Sequence, residues 1–359
     1  MGLSLAEIKA ELKKTLPDVP GYRAAQIYKR LYGSRNFSFE DMTELPAPLR
    51  ATLAEHYHLP ILELETESKS EDGTRKYLFK LEDGREIESV LIPSEMRDDK
   101  GDSRRRTLCL STQVGCPLDC KFCATATMKL KRDLTTAEIV MQLFEVERLS
   151  GEKITNVVYM GMGEPMLNYD NVIRSLRIIT DPDLDILGAK RITVSTSGLP
   201  DEIRKFADEG LGVKLALSLH ATTDELRSKL MPINRRYPLG EILAAMEYYY
   251  QKTHIPVTYE YILFEGLNDS EADAKRIARF ARRMPSKVNV IPFHKIDFTH
   301  PTGISAELHP TTKEKFNDFI ALLKREGAQV MVRSSSGEDI EAACGQLAIT
   351  QHKPVSIEV

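Results

Sequence analysis

The sequence predicts an α/β protein, a partial (β/α)6 barrel preceded by a small helical module. Three observations carry this. From residue 107 onward, short apolar runs (107–112, 155–161, 190–196, 213–219, 257–263, 287–293 and 328–333) read as strands. Helical patterns lie between most of them (135–150, 169–180, 200–209, 238–252, 270–283 and 311–326). Strands alternating with helices imply a parallel sheet with right-handed crossovers. Before residue 58 the periodicity is helical only, and 60–93 reads as short strands. A barrel of this kind places its chemistry at the C-terminal strand ends.

Four segments follow: 1–58, 59–105, 106–350 and a tail, 351–359. In the first, Ser4 stands three residues before Glu7, the spacing of a capping box. Leu5, Ile8, Leu12 and Leu16 then recur at helical spacing, and Pro17 and Pro20 end the helix. Further helices run from Tyr22 to Tyr32 and from Pro48 to His56. They read as an accessory module for substrate, or as packing support. In the second segment, Glu71-Asp72-Gly73 and Glu82-Asp83-Gly84 are turn signals around the strand Thr74–Leu81. The next strand, Glu86–Ile92, puts Glu88 on the face of Val90. Such a carboxylate is either desolvated and basic or exposed on an edge, and the pattern alone favours exposure. Residues 94–105 are polar and aperiodic, a linker.

A chain of 359 residues can bury a large core. It lacks an apolar run of the roughly 20 residues that span a bilayer, and its first residues do not resemble a signal peptide. Five cysteines, mostly clustered, argue against a secreted disulfide scaffold, so a cytoplasmic protein is expected. The net charge of −4 gives no hint of nucleic acid. Local charge differs: Arg104-Arg105-Arg106, then Lys129, Lys131 and Arg132, with Arg235-Arg236 further on. These form either a phosphate-holding rim or ordinary solvated loops.

The richest stretch is Cys116-Pro-Leu-Asp-Cys120-Lys-Phe-Cys123, spaced C-x3-C-x2-C. It follows the first barrel strand and precedes a helix capped by Thr135 or Thr136, with Glu138 in its first turn. Three thiolates on one loop can ligate three irons of a cubane cluster and leave the fourth iron open. The alternatives are three core cysteines, or zinc with Cys109 as fourth ligand; structural zinc usually has a second, distant pair, absent here.

Polar groups recur at the other strand ends. Gly161, Gly163 and Glu164 follow the second strand; glycines admit a ligand close to the backbone, and Glu164 suits an ammonium group. Ser195 with Ser197, Ser218-Leu219-His220, and His294 follow the third, fourth and sixth strands. Each alone is an ordinary hydrogen-bonding residue; together they suggest a pocket. Near the C-terminus, Cys344 is flanked by Glu341, Gly345 and Gln346, which suggests an exposed, reactive thiol. With Cys109 left over as well, a reversible pair is conceivable.

These motifs, in this order and over nearly the whole chain, resemble the RlmN family of radical S-adenosylmethionine (SAM) RNA methyltransferases, ending in Ala342-Ala343-Cys344-Gly-Gln-Leu. The resemblance implies a TIM-like radical SAM barrel. It implies that Cys116, Cys120 and Cys123 hold a 4Fe–4S cluster whose open iron SAM chelates, with two SAM molecules used per turnover. It implies SAM contacts at Gly163, Glu164, Ser195, Ser218, Leu219 and His220, and at His294 where the family commonly has Asn. Cys344 would accept a methyl group, Cys109 would form a disulfide with it to release product, and Glu88 would accept a proton. The implied product is adenosine methylated at carbon 2, in 23S rRNA and at position 37 of tRNAs. An electron donor such as flavodoxin, no membrane, and a monomer complete the expectation.

Three other readings compete with it. The related Cfr group methylates carbon 8 of the same adenine, but commonly has Ala where Pro165 follows Glu164 here, and lacks the doubled Ala342-Ala343. A zinc-stabilised RNA-binding protein would leave Cys344 without a task. A small-molecule radical SAM enzyme would not need the N-terminal module or the basic flanks.

Overall fold

The computed structural model describes residues 1–35, 37–59, 62–94, 105–333 and 335–349. The tail, Arg104 and most of the 94–105 linker lie outside them.

Three helices open the chain: α1 (Leu5–Thr15), α2 (Tyr22–Tyr28) and α3 (Ala47–His56). Ser4 caps α1 in the expected capping box, its amide donating to Glu7 Oε2 at 2.7 Å and its hydroxyl accepting from the Glu7 amide at 3.3 Å. These helices are less separate than their sequence suggests. Their apolar faces join one hydrophobic core with the barrel. The Tyr28 hydroxyl donates to Asp181 at 2.7 Å, and Phe37 stacks on Phe144 at 5.8 Å.

An antiparallel meander follows: β1 (Glu63–Lys69), β2 (Arg75–Lys80) and β3 (Glu86–Pro93). It continues antiparallel onto β4 (Arg106–Cys109). A short ladder, β5 (Gln113–Val114) with β6 (Arg132–Asp133), then closes the base of the cysteine loop. The barrel units are α4 (Thr136–Ser150), β7 (Asn156–Tyr159), α5 (Tyr169–Ile179), β8 (Ile192–Thr196), α6 (Pro200–Asp208), β9 (Lys214–Ser218), α7 (Asp224–Leu230), α8 (Leu239–Thr253), β10 (Val257–Leu263), α9 (Glu271–Ala281), β11 (Ser286–Pro292), α10 (Lys313–Arg325) and β12 (Val330–Val332). The sheet runs β1-β2-β3-β4-β7-β8-β9-β10-β11-β12, parallel from β4 onward. Six βα units are present, as expected, with β12 as a seventh parallel strand. The short helix α7 has no counterpart in the sequence reading, because seven residues carry too little periodicity to detect.

Strand alternation divides the sheet into two faces. Leu108, Val157, Tyr159, Ile192, Val194, Leu215, Leu217, Tyr259, Val288 and Val290 are buried in the main core. The alternate residues, Thr107, Cys109, Val158, Thr193, Thr258, Glu260 and Asn289, line an interior cavity of about 580 Å³. A closed barrel fills that space with branched apolar side chains. Here it is open, and polar and apolar side chains share its lining. Among the described residues no helix is long and apolar enough to cross a membrane.

Candidate active site

The cysteine loop is tied at its base. The Lys131 amide donates to the Val114 carbonyl at 2.9 Å and Gln113 Nε2 to Asp133 at 2.7 Å. Gly115 takes φ +75°, and a Cβ there would stand 1.9 Å from the Lys129 carbonyl oxygen. No other residue fits, so the two arms of the loop touch only because position 115 is glycine. Phe122 anchors the tip, edge-on to His220 at 4.7 Å and tilted against Phe264 at 5.7 Å.

Cys116, Cys120 and Cys123 converge. Burial pushes each thiol up, Cys116 to about 12, and the other thiols of the set add to the shift at Cys116 and Cys120. Thiols that are desolvated and oppose one another's ionisation need a bound cation to become thiolates. In a tetrahedral zinc site, with bonds of about 2.3 Å, thiolates lie about 4 Å apart. Among the described residues no three His, Cys, Asp or Glu are gathered for a single ion. Three thiols on one loop that feel one another's charge suit a cluster, where each binds a different iron.

The C-terminal segment folds back over this loop. The Ala124 amide donates to the Gly345 carbonyl at 2.7 Å, and Thr125 Oγ1 donates to the Leu347 carbonyl. Gly345 takes φ +86°, with the Phe122 carbonyl 3.0 Å from where a Cβ would stand. On its other side Asp339 accepts from Ser70 Oγ at 2.6 Å, Asp72 accepts from the Gly337 amide at 3.0 Å, and Lys76 donates to the Glu341 carbonyl at 3.3 Å. Cys344 is thus clamped between the meander and the cysteine loop. It is half-buried, not exposed as its neighbours in sequence suggested: the polar residues around it make contacts within the fold.

Cys344 and Cys109 line the same cavity. Both are free thiols, so the expected Cys109–Cys344 disulfide is not formed in this state. Burial and then Cys344 push Cys109 up to about 12. Burial also raises Cys344, opposed by Arg333. Arg333 is half-buried, its charge felt by both thiols, and lies 3.9 Å from Glu260. His294 lines this cavity too, with Nδ1 3.1 Å from Glu338 Oε1.

Gly163, Glu164, Ser195, Ser218, Leu219 and His220 are not among the lining residues of that cavity; they gather at the C-terminal strand ends beside the cysteine loop. The Glu164 carboxylate is fixed by the Ser197 amide at 2.8 Å and the Met166 amide at 3.1 Å. Gly163, at φ +99°, lets the chain pass Gln113, whose Cβ lies 2.6 Å from where a Cβ on residue 163 would stand. Its close approach is therefore to the protein itself. The Ser195 and Ser218 hydroxyls are 3.4 Å apart on neighbouring strands, and the Leu219 amide donates to the Glu260 carbonyl at 2.9 Å. His220 Nδ1 accepts from the Ile262 amide at 3.1 Å, and burial holds its pKa down to about 3. The ring is neutral, with Nε2 as the remaining donor.

Sequence reasoning missed Arg227. This fully buried guanidinium donates to the carbonyls of Leu219 (3.1 Å), Ser218 (3.0 Å) and Ser197 (2.5 Å), and to Asn234 Oδ1 (2.9 Å). It ties the ends of β8 and β9 together and places a positive charge near Cys120 and Glu164. Its only signal is an arginine in a short, unrecognised helix.

One further expectation needs correction. Glu88 is not exposed on an edge. β3 lies between β2 and β4, and the side chain is 1 % exposed. It lies on the face where Val90 pairs with Cys109, one residue pair further along, and Lys76 Nζ sits 3.1 Å away. Burial pushes its pKa up to about 7 against the pull of Lys76. Of the two readings left open for the basic residues around the cysteine loop, Arg132 and Arg106 fit ordinary salt bridges. Arg132 pairs with Asp83 (2.6 Å) and Glu138 (2.7 Å), and Arg106 with Glu152.

A half-open parallel barrel with a three-cysteine loop after its first strand defines a radical SAM enzyme. The radical SAM superfamily profile matches residues 110–278. A radical SAM methyltransferase from Sphaerobacter thermophilus superposes with TM-score 0.85 at 42% identity, covering 96% of this chain and 97% of that one. A probable dual-specificity RNA methyltransferase RlmN of Thermotoga sp. (strain RQ2) is 44% identical over 99% of both chains. The dual-specificity RNA methyltransferase RlmN of Geotalea uraniireducens is 45% identical over 91% of this chain and 90% of its own. The chain belongs to the RlmN family of SAM-dependent RNA methyltransferases. Its cofactors are a 4Fe–4S cluster and SAM.

Proposed function

We propose that the enzyme methylates carbon 2 of one adenosine in 23S rRNA and of adenosine 37 in tRNAs, through a methyl group carried on Cys344. The observation that supports this best is the docking of the Cys344 segment directly on the cysteine loop, with Cys109 in the same cavity. Cys116, Cys120 and Cys123 would hold the cluster; Glu164, Ser195, Ser218, Leu219, His220 and the Gly163 turn would shape the SAM site, with His294 at its cavity side. When bound, cluster and SAM supply reductive hydrogen-atom abstraction.

Cys344 takes the methyl group of one SAM as its thiolate, and Arg333 favours that ionisation. Carbon 2 of adenine is electrophilic and does not attack a sulfonium methyl, so a sulfur-bound methylene radical is the workable nucleophile. Glu88, near neutrality in its pKa, accepts the carbon-2 proton. Cys109 would then attack the Cys344 sulfur: a sulfur–sulfur bond forms as the sulfur–carbon bond to the product breaks, the freed carbon takes a proton to become the methyl group, and the odd electron left by the radical addition would return to the cluster. The target base leaves its stack to reach the site, and the N-terminal helices support the RNA around it. A flavodoxin-type donor, a cytoplasmic setting and a monomer complete the proposal.

The test is product mapping. The anaerobically reconstituted enzyme, with SAM, reductant and an unmodified 23S rRNA fragment or tRNA, is expected to yield adenosine methylated on carbon 2; methyl on carbon 8 overturns the assignment. Cys109→Ala is expected to accumulate a covalent protein–RNA adduct, read as a shifted band on a denaturing gel. Free product from that variant would remove Cys109 from the release step.

A further inference from the structure

The alternation that lines the barrel cavity also places four cations at its N-terminal end. Arg105 immediately precedes β4, Arg191 immediately precedes β8, Lys214 begins β9, and Lys287 is the second residue of β11. All four line the cavity that contains Cys109 and Cys344. Among its described lining residues the one carboxylate is Glu260, deeper in the barrel, where Asn289 donates to it at 2.8 Å. The four cations are close neighbours. Partial burial, and then Lys287, Arg191 and Arg105, all lower the Lys214 pKa. Gathering like charges at one opening opposes folding, and a bound polyanion relieves it.

We infer that this N-terminal mouth is the entrance for RNA: phosphates beside the target nucleotide rest on Arg105, Arg191, Lys214 and Lys287, and the unstacked base reaches up the barrel to Cys344. The inference rests on the RNA-methylating reading above. Cys109 lies four residues beyond Arg105 along its strand, about 13 Å at the usual rise per residue. That is the span of one extruded nucleotide, from backbone phosphate to base edge. The wall between is mixed, with Thr107, Thr193, Thr258 and Asn289 facing inward beside Val158 and Ile291, so a base can be hydrogen-bonded and packed on its way. RNA thus approaches from the end opposite the cluster, leaving the C-terminal strand ends to SAM. Arg106 and Arg132 beside the cysteine loop are held in ion pairs within the protein and are not needed for phosphate contact.

The test compares the reconstituted holoenzyme with Lys214→Glu/Lys287→Glu and with Lys324→Glu on the outer surface of α10, a charge-reversal control. The probe is a tRNA anticodon stem-loop that the wild type binds, titrated by filter binding across a range of KCl concentrations. Iron content and circular dichroism report folding. The double variant is expected to lose about tenfold or more in affinity, and the slope of log K against log[salt] to fall by about 1.4, two contacts at about 0.7 each. The control should match the wild type. If charge reversal prevents folding, Lys214→Gln/Lys287→Gln must show the same loss of slope. Unchanged affinity and slope in a folded variant overturn the placement. A wild type that neither binds nor methylates any RNA overturns the functional reading, and this inference with it.

Discussion

The Lys76–Glu88 pair offers a sharp test, because its charge state should set both stability and catalysis. Glu88 titrates near 7, well above the ordinary 4.5 for its type. Between these values the folded protein keeps a proton that the unfolded chain has released. Stability is therefore fully present below about pH 4.5 and falls by about 3 kcal/mol as pH rises to about 7. Lys76 limits that loss, since its ammonium lies 3.1 Å from the carboxylate and both side chains are buried. In Lys76→Met, Glu88 above pH 7 becomes a buried charge without its cation, which costs about 3–5 kcal/mol. At pH 5.5 Glu88 is protonated in either protein, and the difference should shrink to about 1 kcal/mol or less. Urea unfolding at pH 5.5 and 8.5, on wild type, Lys76→Met and Lys76→Met/Glu88→Gln, reads this directly. The single variant should weaken at pH 8.5, and the double variant should recover most of that loss. Methylation should show an inflection near pH 7 in the wild type, displaced upward in Lys76→Met. Equal destabilisation at both pH values, or a pH–rate profile that does not move, would refute the reasoning.

Other expectations follow from single contacts. Cys120→Ala should abolish iron binding and turnover, checked by iron and sulfide analysis after reconstitution; full activity would remove Cys120 from the cluster. Gly115→Ala drives a methyl group into the Lys129 carbonyl and strains a φ of +75°, so iron incorporation should collapse and stability fall by about 1–3 kcal/mol or more; a normally loaded variant would contradict the loop geometry. Arg227→Met removes a donor from three strand-end carbonyls, of which Leu219 keeps the Ala221 amide at 2.7 Å, at about 1–3 kcal/mol for each group left unsatisfied. Its urea midpoint should drop, and its KM for SAM should rise as the Ser218–Leu219 turn loosens.

Much of this was legible in one dimension. The C-x3-C-x2-C spacing is local, and so are the capping box at Ser4 and the helix cap at Thr135 or Thr136. The βα alternation follows from apolar periodicity, which marks all six units. Periodicity reports which residues face a core, and that is a property of each segment taken alone. Glu88 shows where it stops. Nothing in Glu86–Ile92 says that β3 is an interior strand with Lys76 beside the carboxylate, because its strand partners come from other segments. Cys344 is similar: its polar neighbours signal exposure until Asp72, Lys76 and Phe122 arrive from elsewhere to cover them. Arg227 and the four cations at the barrel mouth are scattered through the sequence, and only sheet closure brings them together. The sequence by itself determined the family, its cofactors and the order of the six βα units. Tertiary structure alone decided burial, charge state and proximity, because these depend on distances between segments that chain spacing does not encode.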